Sequence, residues 1–151
     1  WLDDKKKLMN SVQIKTLHDI GHEIGSHALT HEKLTNVSCE VLKYEFLESK
    51  RLLDLGLSAN CNAIAIPFGV SANLKAEARC KLIAKDAGYK YMFLGRFGYI
   101  TCLNHDRFDL PRIPVYGFDD LSDFVSKING EYYIVSHLYK IRKTIKYMFG
   151  I

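Results

Sequence analysis

The sequence predicts an α/β fold built on a mostly parallel sheet or barrel. Helix-length amphipathic stretches alternate with short apolar runs, as repeated β–α units require. The 151 residues, 48% hydrophobic and 25% charged, suit one globular core rather than a disordered tail or a fibre. No run of 18 apolar residues offers a membrane-spanning helix.

The elements follow in order. Leu8, Val12, Leu17 and Ile20 form a helical stripe that Gly21 closes. His22 to Ser26 is short enough to be a strand running into a loop. Ser38 is placed to cap a long helix outlined by Val41, Leu42, Phe46, Leu52, Leu53 and Leu55 and ended by Gly56. Asn62 to Phe68 reads as a buried strand entering the turn Pro67-Phe68-Gly69. Asn73 can cap the next helix, which reaches Ala87 and stops at Gly88. Tyr89 to Leu94, Tyr99 to Leu103 and Leu110 to Val115 are strand candidates, the last broken by two prolines. Leu121 to Ile128 and Tyr133 to Phe149 read as helices. Residues 1–130 form one domain in this reading, and residues 131–151 a basic amphipathic terminal helix.

Charge and cysteine content narrow the function. The net charge of +4 is mild, and no nucleic-acid-binding motif accompanies it. Lys140, Lys143 and Lys146, interleaved with tyrosines, suit either docking on the domain's own core or contact with an anionic membrane surface. Cys39, Cys61, Cys80 and Cys102 contain no C-x-x-C pair, so they read as small buried thiols of a reducing compartment rather than a zinc ribbon or redox site.

The chemistry concentrates in Gly21-His22-Glu23-Ile24-Gly25-Ser26-His27-Ala28-Leu29-Thr30-His31. His27 and His31 are four apart, which on one helical turn points both imidazoles to the same side. Two neutral imidazoles make half of a first-row metal site that a carboxylate commonly completes. The segment follows a predicted strand, and parallel α/β folds gather functional groups at strand carboxyl ends.

Those eleven residues, continued by Glu32-Lys33-Leu34, resemble the second motif of the polysaccharide deacetylases, the nodulation-type carbohydrate esterases of family four. Pro67-Phe68-Gly69 resembles the family's third motif, a turn lining the substrate groove. Ala87 to Tyr91 resembles the helix end and strand that follow. Phe108 to Val115 resembles the L-P-R-I segment of a branch acting on bacterial surface or exported polysaccharides.

The resemblance implies an incomplete, distorted (β/α) barrel whose first β–α portion is missing. It implies a divalent metal, usually zinc, with His27 and His31 as ligands and Pro67 and Phe68 against the substrate. The activity implied is hydrolysis of N-acetyl groups on an amino-sugar polysaccharide or oligosaccharide; the location, bacterial cytoplasm or cell envelope, stays open. The alternative is a carbohydrate-binding relative that has lost the metal site. A hydrolase of another amide would use the same residues.

The sequence departs from the family pattern in three places. The first motif is an Asp-Asp pair closing an early strand. Asp3-Asp4 instead lies among lysines with no apolar strand before it and reads as a solvated loop, so this stretch is expected to be inactive alone. Ala65 stands where relatives often carry an arginine before the Pro, and Arg112 is the candidate to take over its orienting role. The late acid histidine has no clear counterpart. His137 reads as helical, His105 as a loop residue, His18 as solvated on its helix, and His22 as packing near the strand.

Overall fold

The computed structural model describes residues 8–69, 74–100 and 105–131. Asp3-Asp4, Asn73, Cys102, the centre of the Tyr99–Leu103 strand candidate, His137 and the 133–149 helix with its membrane reading lie outside the described residues.

Helix α1 spans Ser11–Asp19 and opens on a capping box, in which Asn10 and Gln13 each bond the other's backbone N–H. Its stripe was expected to face a core, yet Leu8, Val12 and Ile20 are exposed and α1 buries no residue. Helix α2 spans Cys39–Leu57 and is capped by Ser38, as its sequence predicts. Gly56 does not end it. Leu57 is packed in the core and carries the helix one residue further, and Ser58 takes the left-handed conformation at φ 53°. The Ala59 N–H then donates to the Asp54 carbonyl and the Ser58 N–H to Leu55, the double bond pattern of a Schellman end.

Strand β1 spans Ala63–Ala65, helix α3 Leu74–Asp86, strand β2 Tyr91–Phe97, strand β3 Leu110–Arg112 and helix α4 Leu121–Ile128. Gly88, at φ 87°, closes α3 by the same pattern, with Tyr89 and Gly88 donating to Ala84 and Lys85. The sheet runs β1-β2-β3, all parallel, with Ala63 opposite Tyr91 and Phe93 opposite Leu110. Ser26 adds one parallel bridge beside Ile64, which makes the predicted His22–Ser26 strand a single pairing point on the far edge. Leu110-Pro111-Arg112 is shorter than the Leu110–Val115 expectation. Its proline is tolerated because β3 lies at the sheet edge, where a missing N–H breaks no ladder. Tyr99 and Ile100, the described part of another strand candidate, belong to no strand.

The strand period of two divides the sheet into unlike faces. Ile64, Ile66, Met92 and Leu94 point to the helix side and are fully buried with Leu42 and Phe46 of α2 and Cys80, Ile83 and Ala84 of α3. Of the residues expected to stripe α2, Leu42, Phe46 and Leu53 reach this core, whereas Val41, Leu52 and Leu55 stay exposed. Ala63, Ala65, Tyr91 and Phe93 point the other way and remain half-buried. Among the described residues no helix is long and apolar enough to cross a membrane.

Candidate functional site

The site lies where the Ser26 pairing point and β1 end. Ser26 is buried and fixed by two ladder bonds, its N–H to the Ala63 carbonyl and its carbonyl to the Ala65 N–H. The chain then leaves the sheet as a loop. His27 and His31 are therefore not on a helical turn, as their spacing suggested. Ala28 at φ 64° and His31 at φ 60° bend the loop in the left-handed region, and this bending brings the two rings together. Their centroids are 4.9 Å apart with the planes at 63°.

His27 Nδ1 lies 2.7 Å from the Ala65 carbonyl. A carbonyl only accepts, so Nδ1 carries the proton and Nε2 of the neutral ring keeps its lone pair. This is the tautomer that a metal ligand needs, held by the kind of backbone partner that usually holds one. Two imidazoles on one tetrahedral zinc, with Zn–N about 2.0–2.1 Å, set their ring centroids roughly 5 Å apart. The observed pair fits a divalent ion as two of its ligands. Among the described residues no third histidine, cysteine or carboxylate joins them.

The turn after β1 supplies the opposite wall. The Gly69 N–H donates to the Ile66 carbonyl at 3.2 Å, Pro67 occupies the second position, and Phe68 takes φ 55° at the third, the pattern of a type II turn. Pro67 is buried and Phe68 exposed, with its ring edge-on to His31 at 5.0 Å. Gly69, at φ 65°, lies so close to Gly95 of β2 that a Cβ would come within 2.7 Å of the Gly95 Cα and N. Of the non-glycine residues described at positive φ, His31 belongs to the histidine pair, Ala28 and Phe68 lie beside it, and only Ser58 lies elsewhere. Each such conformation costs on the order of 1–3 kcal/mol and persists only where its surroundings over-determine it, as functional sites commonly do.

Arg112 reaches back beneath this turn. Its Nε donates to the Leu94 carbonyl and a terminal nitrogen to the Ile66 carbonyl, both at 3.0 Å. Burial pulls its pKa below the ordinary arginine value. Arg112 thus fastens the end of β1, one residue before Pro67, to the middle of β2. An open cleft of about 620 Å³ runs from His27 across the half-buried sheet face, lined by Ser26, Ala63, Ala65, Tyr91, Phe93 and Leu110.

The remaining histidines lie apart from the pair. His105 Nε2 is bonded to the Asp109 carbonyl at 2.9 Å. His18 and the exposed His22 line a second cleft with Asn60, Asn62 and Lys90, at the end of β1 where the chain enters the strand. His22 thus lies near the strand as expected, but exposed rather than packed.

Sequence reasoning missed Glu45. This α2 residue is only 3% exposed and accepts three hydrogen bonds from Leu29 and Thr30. Burial opposes its ionisation, but the Thr30 hydroxyl and the Thr30 and Leu29 N–H groups outweigh it and hold the carboxyl below the usual glutamate range. The signal was present: Glu45 and Ser49 fall on the helical stripe of Leu42, Phe46 and Leu53, where polar groups are out of place unless partnered inside.

Comparison with solved structures first defines the fold. The deacetylase PplD of Streptococcus pyogenes, solved in complex with acetate, aligns at TM-score 0.67 and 24% identity over 82% of this chain and 52% of its own. A polysaccharide deacetylase from Bacillus cereus aligns at TM-score 0.67 and 21% identity over 83% of this chain and 38% of its own. A de-N-acetylase from Aggregatibacter actinomycetemcomitans aligns at TM-score 0.62 and 13% identity over 78% of this chain and 52% of its own. The chain therefore spans about half or less of the length of these structures. No curated protein matches it by sequence.

The polysaccharide deacetylase family model matches residues 2–92, and the chain belongs to that family. The match contains the histidine pair and the Pro-Phe-Gly turn and stops before Arg112.

Proposed function

We propose that the protein is a metal-dependent hydrolase that removes N-acetyl groups from an amino-sugar polysaccharide, and that its sheet is an arc of a distorted (β/α) barrel. The observation that carries this reading is the His27–His31 pair, rings 4.9 Å apart at the mouth of a parallel sheet with His27 Nδ1 already committed to a carbonyl. His27 and His31 would hold the ion through their ring nitrogens. A divalent ion, zinc in the usual case, supplies Lewis acidity to the acetamide carbonyl and the attacking water.

The other roles belong to this chain's own groups. Phe68 offers an exposed apolar ring beside the pair, on which the C–H face of a pyranose can rest, and Pro67 fixes that ring's height above the sheet. Arg112 ties the residue before the turn to the middle of β2, and its cationic head near the site suits it to orient a catalytic carboxylate. Among the described residues no carboxylate stands beside the pair as third ligand or base, and these 151 residues by themselves are expected to release no acetate.

Zinc content and acetate release from N-acetylglucosamine oligomers, measured on the full-length protein, test the reading. His27→Ala is expected to lose the metal and at least a thousandfold in turnover. Arg112→Ala is expected to retain the metal and lose turnover. A His27→Ala protein with native zinc and native turnover would end the metal assignment, and unchanged turnover in Arg112→Ala would remove its orienting role.

A further inference from the structure

Helix α2 presents two buried polar groups one turn apart, Glu45 and Ser49, toward the loop that carries the histidines. Glu45 Oε2 accepts the Leu29 N–H at 2.9 Å and the Thr30 N–H at 3.0 Å, and Oε1 accepts the Thr30 hydroxyl at 2.7 Å. Ser49 Oγ meets Ser26 Oγ at 3.0 Å, and Ser26 Oγ accepts the Ala28 N–H at 3.2 Å. Tyr89 closes the back of this network through bonds to Ser49 and the Phe46 carbonyl. One helix face therefore grips the chain just before His27, just after it, and just before His31.

We propose that Glu45 is a positioning residue for the His27–His31 centre: its carboxylate winds the 28–31 loop and so sets the separation of the two imidazoles, without touching substrate or the reacting atoms. The proposal rests on the reading that the pair holds a divalent ion. Three donors converge on the carboxylate, and an ionised carboxylate, which only accepts, can satisfy all three. A glutamine offers one acceptor oxygen and would turn its own N–H groups toward the others. The successive N–H groups of Leu29 and Thr30, which follow the left-handed Ala28, both point at the Glu45 carboxylate, a concavity of the kind that favours an anion. Release of Glu45 would free His31 from its φ of 60°, and its ring would no longer be held beside His27.

The test compares Glu45→Gln, Glu45→Ala and a core control, Ile83→Val, in the full-length protein. Ile83 is buried in α3 and has no part in the loop. Three quantities are read: the dissociation constant for zinc alone, backbone amide hydrogen exchange at residues 28–31 without metal, and the melting temperature.

Removing an outer partner of metal ligands typically weakens metal binding about 10–100-fold. Glu45→Ala is expected to lose about tenfold or more in zinc affinity by that measure, and to exchange the Leu29 and Thr30 amides at least tenfold faster. Glu45→Gln should fall between it and wild type, and Ile83→Val should lower the melting temperature while changing neither other readout. Native zinc affinity in Glu45→Ala would overturn the proposal, as would losses that track melting temperature equally in Glu45→Gln and Ile83→Val. A wild-type protein that takes up no zinc would instead defeat the metal reading. Glu45's hold on the loop would then be judged by exchange alone, and native protection in Glu45→Ala would sink it.

Discussion

The two faces of the sheet obey different rules. On the helix side, Ile64, Ile66, Met92 and Leu94 are sealed under α2 and α3 with no measurable exposure. On the other side, Ala63, Ala65, Tyr91 and Phe93 stay half open to the cleft that begins at His27. Parallel strands ordinarily read as apolar runs because both faces are covered. These strands are apolar on both faces and covered on one. The closed face carries the stability of the chain, and the open face with its rim of left-handed residues carries the site. A strand can serve both because neighbouring side chains alternate in direction.

The sharpest way to break this contrast is a pair of truncations. Phe46→Ala, in the sealed layer, is expected to cost about 3–5 kcal/mol, the usual loss for a buried phenylalanine. Phe93→Ala, on the open face, is expected to cost well under half of that. Chemical denaturation of both variants checks it, and equal losses would mean that the cleft face is as covered as the core.

A smaller effect tests the rim. Gly69→Ala combines φ 65° with a Cβ 2.7 Å from the Gly95 backbone, so the turn must shift. A loss on the order of 1–3 kcal/mol is expected from strain of this kind, together with a change in the Phe68–His31 ring contact seen in histidine chemical shifts. A native melting curve and native shifts would show that the turn is looser than its close approach implies.

The smallest perturbation leaves the fold intact. Cys61 and Cys80 are buried on the closed side as expected of small thiols, but Cys39, in the first turn of α2, is exposed. Burial raises the Cys61 thiol pKa and pushes that of Cys80 up to about 11, so both stay protonated at pH 8. Mild alkylation at pH 8 should label Cys39 and spare these two until denaturant is added. Early labelling of Cys80 would show that the layer between α3 and the sheet opens readily.

Much of the fold was legible because local chemistry and packing agree. Ser38 caps α2 and Gly88 ends α3 where their residue types predict, and the Pro-Phe-Gly turn follows an apolar strand. Gly56 misled because a helix terminus is decided by what the next residue can bury, and Leu57 has a place in the core. The stripe of α1 misled for the converse reason: periodicity gives a helix an apolar face and cannot supply a surface to bury it on.

The site divides the same way. By itself the sequence singled out the groups proposed for the chemistry, since imidazole nitrogens at His27 and His31 and a turn forced by Pro67 and Gly69 are properties of residue type and order. Tertiary structure alone decided how those groups meet. The histidines share a site because Glu45 and Ser49, a helix away in the chain, hold their loop in a conformation that local preference disfavours. A four-residue spacing is compatible with many ring separations, and only contacts between distant segments select one.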